Sequence, residues 1–207
     1  MLPLGDDNRD RKLFPLVTYG LLIINLIFFF LEMRGGEAFI TTWAFIPNRF
    51  IADPLGNLVT LFTAMFLHAG LAHLLGNMLY LLIFADNVES RFGHFWFLVF
   101  YLFSGIAATI AQTIFTFNST IPILGASGAI AGVLGAYILL FPTRYVRVLL
   151  IFRVVYVPAF LVIGGWFLLQ LFNSLGSFAS AAQTGGVAYL AHVGGFVAGF
   201  ILTFIFR

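Results

Sequence analysis

Ser127 stands in Gly125-Ala126-Ser127-Gly128, between small residues at the head of an apolar stretch that runs to Phe141. A serine hydroxyl attacks a carbonyl only when a base within hydrogen-bond reach takes its proton. His192, in Ala191-His192-Val193-Gly194-Gly195 of the last apolar stretch, is the candidate base. A third polar mark lies in an earlier stretch, where His73 and Asn77 are four residues apart and share one helix face. Both side chains can donate hydrogen bonds to a developing oxyanion, and so can the free N–H groups of a helix that begins at Ser127. Nucleophile, base and oxyanion donors thus occupy three separate segments, and the chemistry they suggest is acyl transfer from a serine.

Each mark also has a structural reading. Gly128, Gly132 and Gly135 continue the serine motif at spacings of four and three, the pattern of a small-residue packing face between membrane helices. His73 and Asn77 could satisfy each other or a loop. An ionisable residue inside a membrane segment, however, points to function by default, which favours a working role for His192. Gly195 and Gly199 lie three and seven residues beyond His192 and share its helix face. Docked against a face made of Gly128, Ala131 and Gly135, that face would bring the imidazole to the serine. No Asp or Glu follows Glu89, so the arrangement reads as a Ser–His dyad without a carboxylate. His68 is expected to organise a loop and His94 to lie on the opposite side of the membrane. No His-Glu-x-x-His occurs and cysteine is absent, so neither a metal site nor a cofactor is expected.

The elements carrying these marks must be membrane helices. Charged residues are 9% of the chain against about a quarter in soluble domains, and the mean hydropathy is +1.05. Since a span needs about 20 mostly apolar residues, six are expected: Phe14–Met33, Leu71–Val88, Phe95–Phe115, Ser127–Phe141, Val155–Phe172 and Val187–Phe206. They would form one membrane domain over residues 14–207, behind a tail of residues 1–13. No small-residue cleavage site follows the first apolar run, so it is expected to remain as an anchor. Both termini then share a side with eight basic residues, Arg9, Arg11, Lys12, Arg91, Arg144, Arg147, Arg153 and Arg207, against Arg34 and Arg49 opposite. That bias makes the termini cytoplasmic. The net charge of +2 is too small to suggest a nucleic-acid partner. The segment from Arg34 to Gly70 is expected in the outer interface, with residues 58–67 as a half-inserted hairpin. The fourth span is short, which submerges Ser127, and Phe117–Pro122 is expected to dip in and line a water-filled cavity beside it.

Taken together, His73-x-x-x-Asn77, Gly125-x-Ser127-Gly128 and Ala191-His192-x-x-Gly195-x-x-x-Gly199, in that order on spans two, four and six, resemble the rhomboid family of intramembrane serine proteases. Phe66-Leu67-His68-Ala69-Gly70 and Asp86-Asn87-Val88-Glu89 also look like bacterial members. The resemblance implies an all-α, six-helix bundle with a long interfacial first loop, multi-pass in the cell's inner membrane. It implies Ser127 as nucleophile and His192 as general base. His73, Asn77, the Ser127 backbone N–H and Gly125 would form the oxyanion hole. Its partners would be the lipid bilayer and membrane-protein substrates, single-span or polytopic, cut in or near a transmembrane helix. Two positions depart from the family pattern: the Trp-Arg pair of the first loop is missing, and Ala131 stands where some members carry a tyrosine packed on the histidine. A non-catalytic relative that binds or escorts membrane clients is the main alternative; a small transporter fits less well, because inverted repeats and charges at span centres are not evident.

Overall fold

The computed structural model describes residues 2–179 and 188–207. Among the described residues, five helices are long and apolar enough to cross a membrane: α1 (Leu16–Trp43), α4 (Leu71–Phe92), α5 (His94–Phe115), α7 (Ala159–Ala179) and α8 (Tyr189–Phe206). Two short helices, α2 (Pro47–Ala52) and α3 (Thr60–Thr63), lie between the first two of these. The sixth apolar helix, α6 (Ser127–Leu140), has only 14 residues, a length of about 21 Å. The chain is a multi-pass, predominantly helical membrane protein.

α6 forms the centre of the bundle. Every residue from Gly128 to Tyr137 is buried, because α4, α5 and α8 pack around it. A helix that is apolar on all sides is at home in such a position. Glycines set how near these neighbours come. A Cβ on Gly195 would run into the Gly128 carbonyl, one on Gly199 into the Gly132 backbone, and one on Gly135 into the Phe196 carbonyl. α6 and α8 therefore touch backbone to backbone, through Gly128, Gly132 and Gly135 where the sequence pattern suggested Gly128, Ala131 and Gly135.

Several boundaries differ from the sequence expectation. α1 continues beyond Met33, and Gly36, at φ 59°, breaks its geometry before helix resumes to Trp43; only glycine takes that conformation without steric cost. The stretch 58–67 is no hairpin: it forms α3 and a 3-10 turn over Ala64–Phe66, with Leu61, Met65 and Leu67 buried. The expected fifth span, Val155–Phe172, starts too early. Tyr145–Leu150 (β2) and Arg153–Pro158 (β3) form an antiparallel hairpin, and α7 follows it at Ala159. β-Branched residues with alternate burial at Val146 and Val148 have period two, which a search for helical apolar runs overlooks. Val187, where the sixth span was expected to begin, lies outside the described residues.

Residues 2–12 are held against the bundle. Leu2–Gly5 (β1) pairs with β2, making a three-stranded sheet beside the bundle. Asp6 accepts hydrogen bonds from the Tyr137 hydroxyl on α6 (2.6 Å) and from Asn87 on α4 (2.8 Å), and Arg11 pairs with Asp86 at 2.7 Å. Burial pushes the Asp6 carboxyl up to about 6, against the lowering effect of those hydrogen bonds and of Arg144. Buried Glu89 accepts from the N–H groups of Val17 and Thr18, both at 2.8 Å, and so caps the start of α1.

Candidate active site

Ser127 is the first residue of α6 and His192 stands in the first turn of α8, so the two N-terminal helix ends meet at one level. The backbone contact between Gly128 and Gly195 sets that level. His192 Nε2 lies 2.8 Å from Ser127 Oγ, within hydrogen-bond reach. On α5, Gln112 Oε1 accepts the Ala191 N–H at 3.2 Å, which anchors the start of α8. A cavity of about 20 Å³, room for roughly one water molecule, is bounded by Ser127, Gly125, Met65 and Ala188.

His73 and Asn77 reach the same region from α4. A methyl group added to Gly125 would lie 3.0 Å from His73 Nε2 and 3.7 Å from Ser127 Oγ, so both polar atoms face one small space that exists because residue 125 has no side chain. Gly125 is at φ +118°, a conformation that favours glycine. Its N–H donates to the Ala64 carbonyl at 2.9 Å and is thus already used. With that N–H engaged, Gly125 borders the space as a wall. Asn77 is only 7% exposed, and its Nδ2 has no partner among the described residues. A buried amide with an unused donor is costly unless something else accepts from it, and an oxyanion would.

The loop residues around the site are held by other contacts. Phe45 and Ile123 form a β-bridge, and the Asn48 N–H donates to the Ser119 carbonyl. Ile123, Leu124 and Gly125 border the cavity at Ser127, in place of the expected Phe117–Pro122. His68 is fully buried, donates its backbone N–H to Glu32 at 3.0 Å and sets its ring edge-on to His73, centroids 5.1 Å apart. Burial pushes the His68 imidazole down to about 4, and the neighbouring His73 adds to this, so it is neutral at pH 7.

The rhomboid domain model matches residues 55–207, most of the chain and every residue of this site. The chain belongs to the rhomboid family. Over 126 residues this rhomboid is 40% identical to rhomboid protease GluP of Bacillus subtilis, covering 59% of this chain and 24% of the relative. It is 30% identical to the putative rhomboid protease YdcA of the same organism over 132 residues, 61% of this chain and 63% of the relative. RHOMBOID-like protein 1 of Arabidopsis thaliana is 32% identical over 146 residues, 70% of this chain and 34% of the relative. The rhomboid described here therefore spans about a quarter to a third of the length of GluP and RHOMBOID-like protein 1 and under two thirds of YdcA.

Two contacts of this rhomboid's histidine escaped the sequence reading, and both come from α7. Gln170 Oε1 lies 2.8 Å from His192 Nδ1. The Trp166 ring lies against the imidazole, centroids 5.8 Å apart at 37°. With alanine at 131, the aromatic neighbour of the histidine is supplied by a different helix. A glutamine in a mainly apolar span was the available signal, since a buried amide needs a partner.

Proposed function

We propose that this rhomboid is an intramembrane serine endopeptidase that cleaves membrane-protein substrates in or near a transmembrane helix. The observation that carries the reading is the 2.8 Å contact between Ser127 Oγ and His192 Nε2, at helix ends held together by backbone packing of glycines. Ser127 gives its proton to Nε2 as Oγ attacks the scissile carbonyl, and the imidazolium returns that proton to the leaving amine. A water then repeats the sequence on the acyl-enzyme, with His192 again as base. The negative charge on the carbonyl oxygen meets the Ser127 N–H at the positive end of α6, together with Asn77 and His73. Cleavage of a single-span model substrate by wild type, but not by Ser127→Ala, is the deciding test; association with the substrate without cleavage would instead make the protein a non-catalytic client binder.

Asn77→Ala is expected to lower kcat by about 10²- to 10³-fold with little change in KM, because the amide meets charge that exists only in the transition state. His73→Ala should do likewise. Steady-state kinetics of purified, folded variants check this, and an unchanged kcat would move α4 to a structural role.

In the same reading α6 is a sixth span, making residues 14–207 one six-span domain. Its cytoplasmic end is fixed near Phe141-Pro142-Thr143-Arg144, so its 21 Å leave Ser127 below the outer surface of an apolar layer about 30 Å thick. The eight-to-two distribution of basic residues supports cytoplasmic termini. Because cysteine is absent, single cysteines can be introduced one at a time; one beside Arg147 should resist an impermeant thiol reagent in intact cells, and labelling there would overturn the topology.

A further inference from the structure

We propose that Gln170 is a positioning residue for the base: from α7 it accepts a hydrogen bond from His192 Nδ1–H and so leaves Nε2 free to take the serine proton. The inference rests on the Ser–His reading above. In a neutral imidazole one nitrogen carries hydrogen and the other accepts. Nε2 can accept from Ser127 only if the proton is on Nδ1, and a carbonyl oxygen 2.8 Å from Nδ1 stabilises that tautomer. The opposite amide orientation would present an N–H to Nδ1, force the proton onto Nε2 and disable the base. In a Ser-His-Asp triad a carboxylate performs this task. No Asp or Glu follows Glu89 here, and the amide of Gln170 stands in that position.

Burial strengthens the arrangement. Gln170 is 7% exposed in a mainly apolar helix, so its carbonyl has strong reason to keep the imidazole as partner. Trp166, four residues earlier on the same face of α7, lies against the ring and limits its rotation. Phe167 stacks on Phe196 of α8, centroids 4.3 Å apart at 24°, and seats α7 beside the histidine. The base is therefore built between α8, which carries it, and α7, which orients it. Proton transfer is competent only while α7 is docked.

The test measures kcat, KM and melting temperature for Gln170→Leu, Gln170→Met and Gln170→Glu, with Ser127→Ala as reference. Leucine and methionine have similar volume and no acceptor able to hold Nδ1–H firmly. They should lower kcat about 10- to 100-fold, leaving KM and melting temperature near wild type. Gln170→Glu presents an oxygen at the same reach and should recover most of the lost kcat, which a role in packing alone would not produce. The positioning role is overturned if a folded Leu or Met variant keeps wild-type kcat, or if Gln170→Glu is folded yet as slow as they are. Methionine, being unbranched, serves if leucine disturbs folding. Ser127→Ala separates the two levels: should it remain active, the dyad itself fails, whereas an inactive Ser127→Ala beside fully active Gln170 variants removes only the positioning role.

Discussion

Ser127→Ala and His192→Ala are each expected to reduce cleavage of a membrane substrate by at least about 10³-fold, and the double variant to be no slower than either. Nucleophile and base act as one unit, so removing one removes the function of both, and their effects do not add. Residual turnover above the uncatalysed rate would come from the oxyanion donors and from substrate binding, which these changes leave in place. The fold should survive. Ser127 is the first residue of α6, and its hydroxyl borders a cavity with room for a water that can take over the hydrogen bond to His192. His192 is only half-buried, and the α6–α8 contact is made by glycine backbones rather than by its ring. A fluorophosphonate probe supplies a second readout, since covalent labelling of wild type should vanish in Ser127→Ala and fall steeply in His192→Ala. Cleavage within tenfold of wild type by either folded single variant would sink the dyad.

What the sequence made legible was periodicity and chemical type. Apolar runs located five of the membrane helices to within a few residues at most ends, because a span must satisfy its own backbone and therefore advertises its length. The shortness of α6 could be read in the same way, from Phe141-Pro142 back to Ser127. The face shared by His192, Gly195 and Gly199 followed from helical spacing alone, and it meets α6 as expected. What failed was anything fixed by partners far apart in the chain. The pairing of β1 with β2 joins residues 2–5 to 147–149, and no local pattern announces it. Choosing between Ala131 and Gly132 as the contact required the rotation of one helix about its axis, which a heptad-like spacing leaves open. The Gly125 N–H could not be assigned without knowing that Ala64 reaches it. Gln170 was illegible for a different reason: charge marks an ionisable residue in a span at once, whereas an uncharged amide in a mainly apolar span raises the question of where its hydrogen bonds go without naming the partner.

Gly199→Val is expected to destabilise the protein and inactivate it, although Gly199 lies two turns from His192 and takes no part in the chemistry. A Cβ at 199 would collide with the Gly132 carbonyl oxygen, Cα and carbonyl carbon. These are backbone atoms inside the most buried helix of the bundle, and they cannot rotate away as a side chain could. Valine adds two further methyl groups to that collision, and overpacking of this kind costs typically about 1–3 kcal/mol or more. The strain is relieved only by moving α8 away from α6. That movement lengthens the distance from His192 Nε2 to Ser127 Oγ, and a misplacement of about 1 Å at reacting atoms costs roughly a hundredfold in rate. Phe200→Val is the comparison on the adjacent position, where the ring is 36% exposed and touches Phe204; shortening it creates no backbone collision and should leave cleavage within a few-fold of wild type. Melting temperature and cleavage rate measured together separate the cases: loss of both for Gly199→Val with neither lost for Phe200→Val ties the catalytic geometry to the glycine contact, and wild-type values for Gly199→Val would mean that α6 and α8 do not meet there.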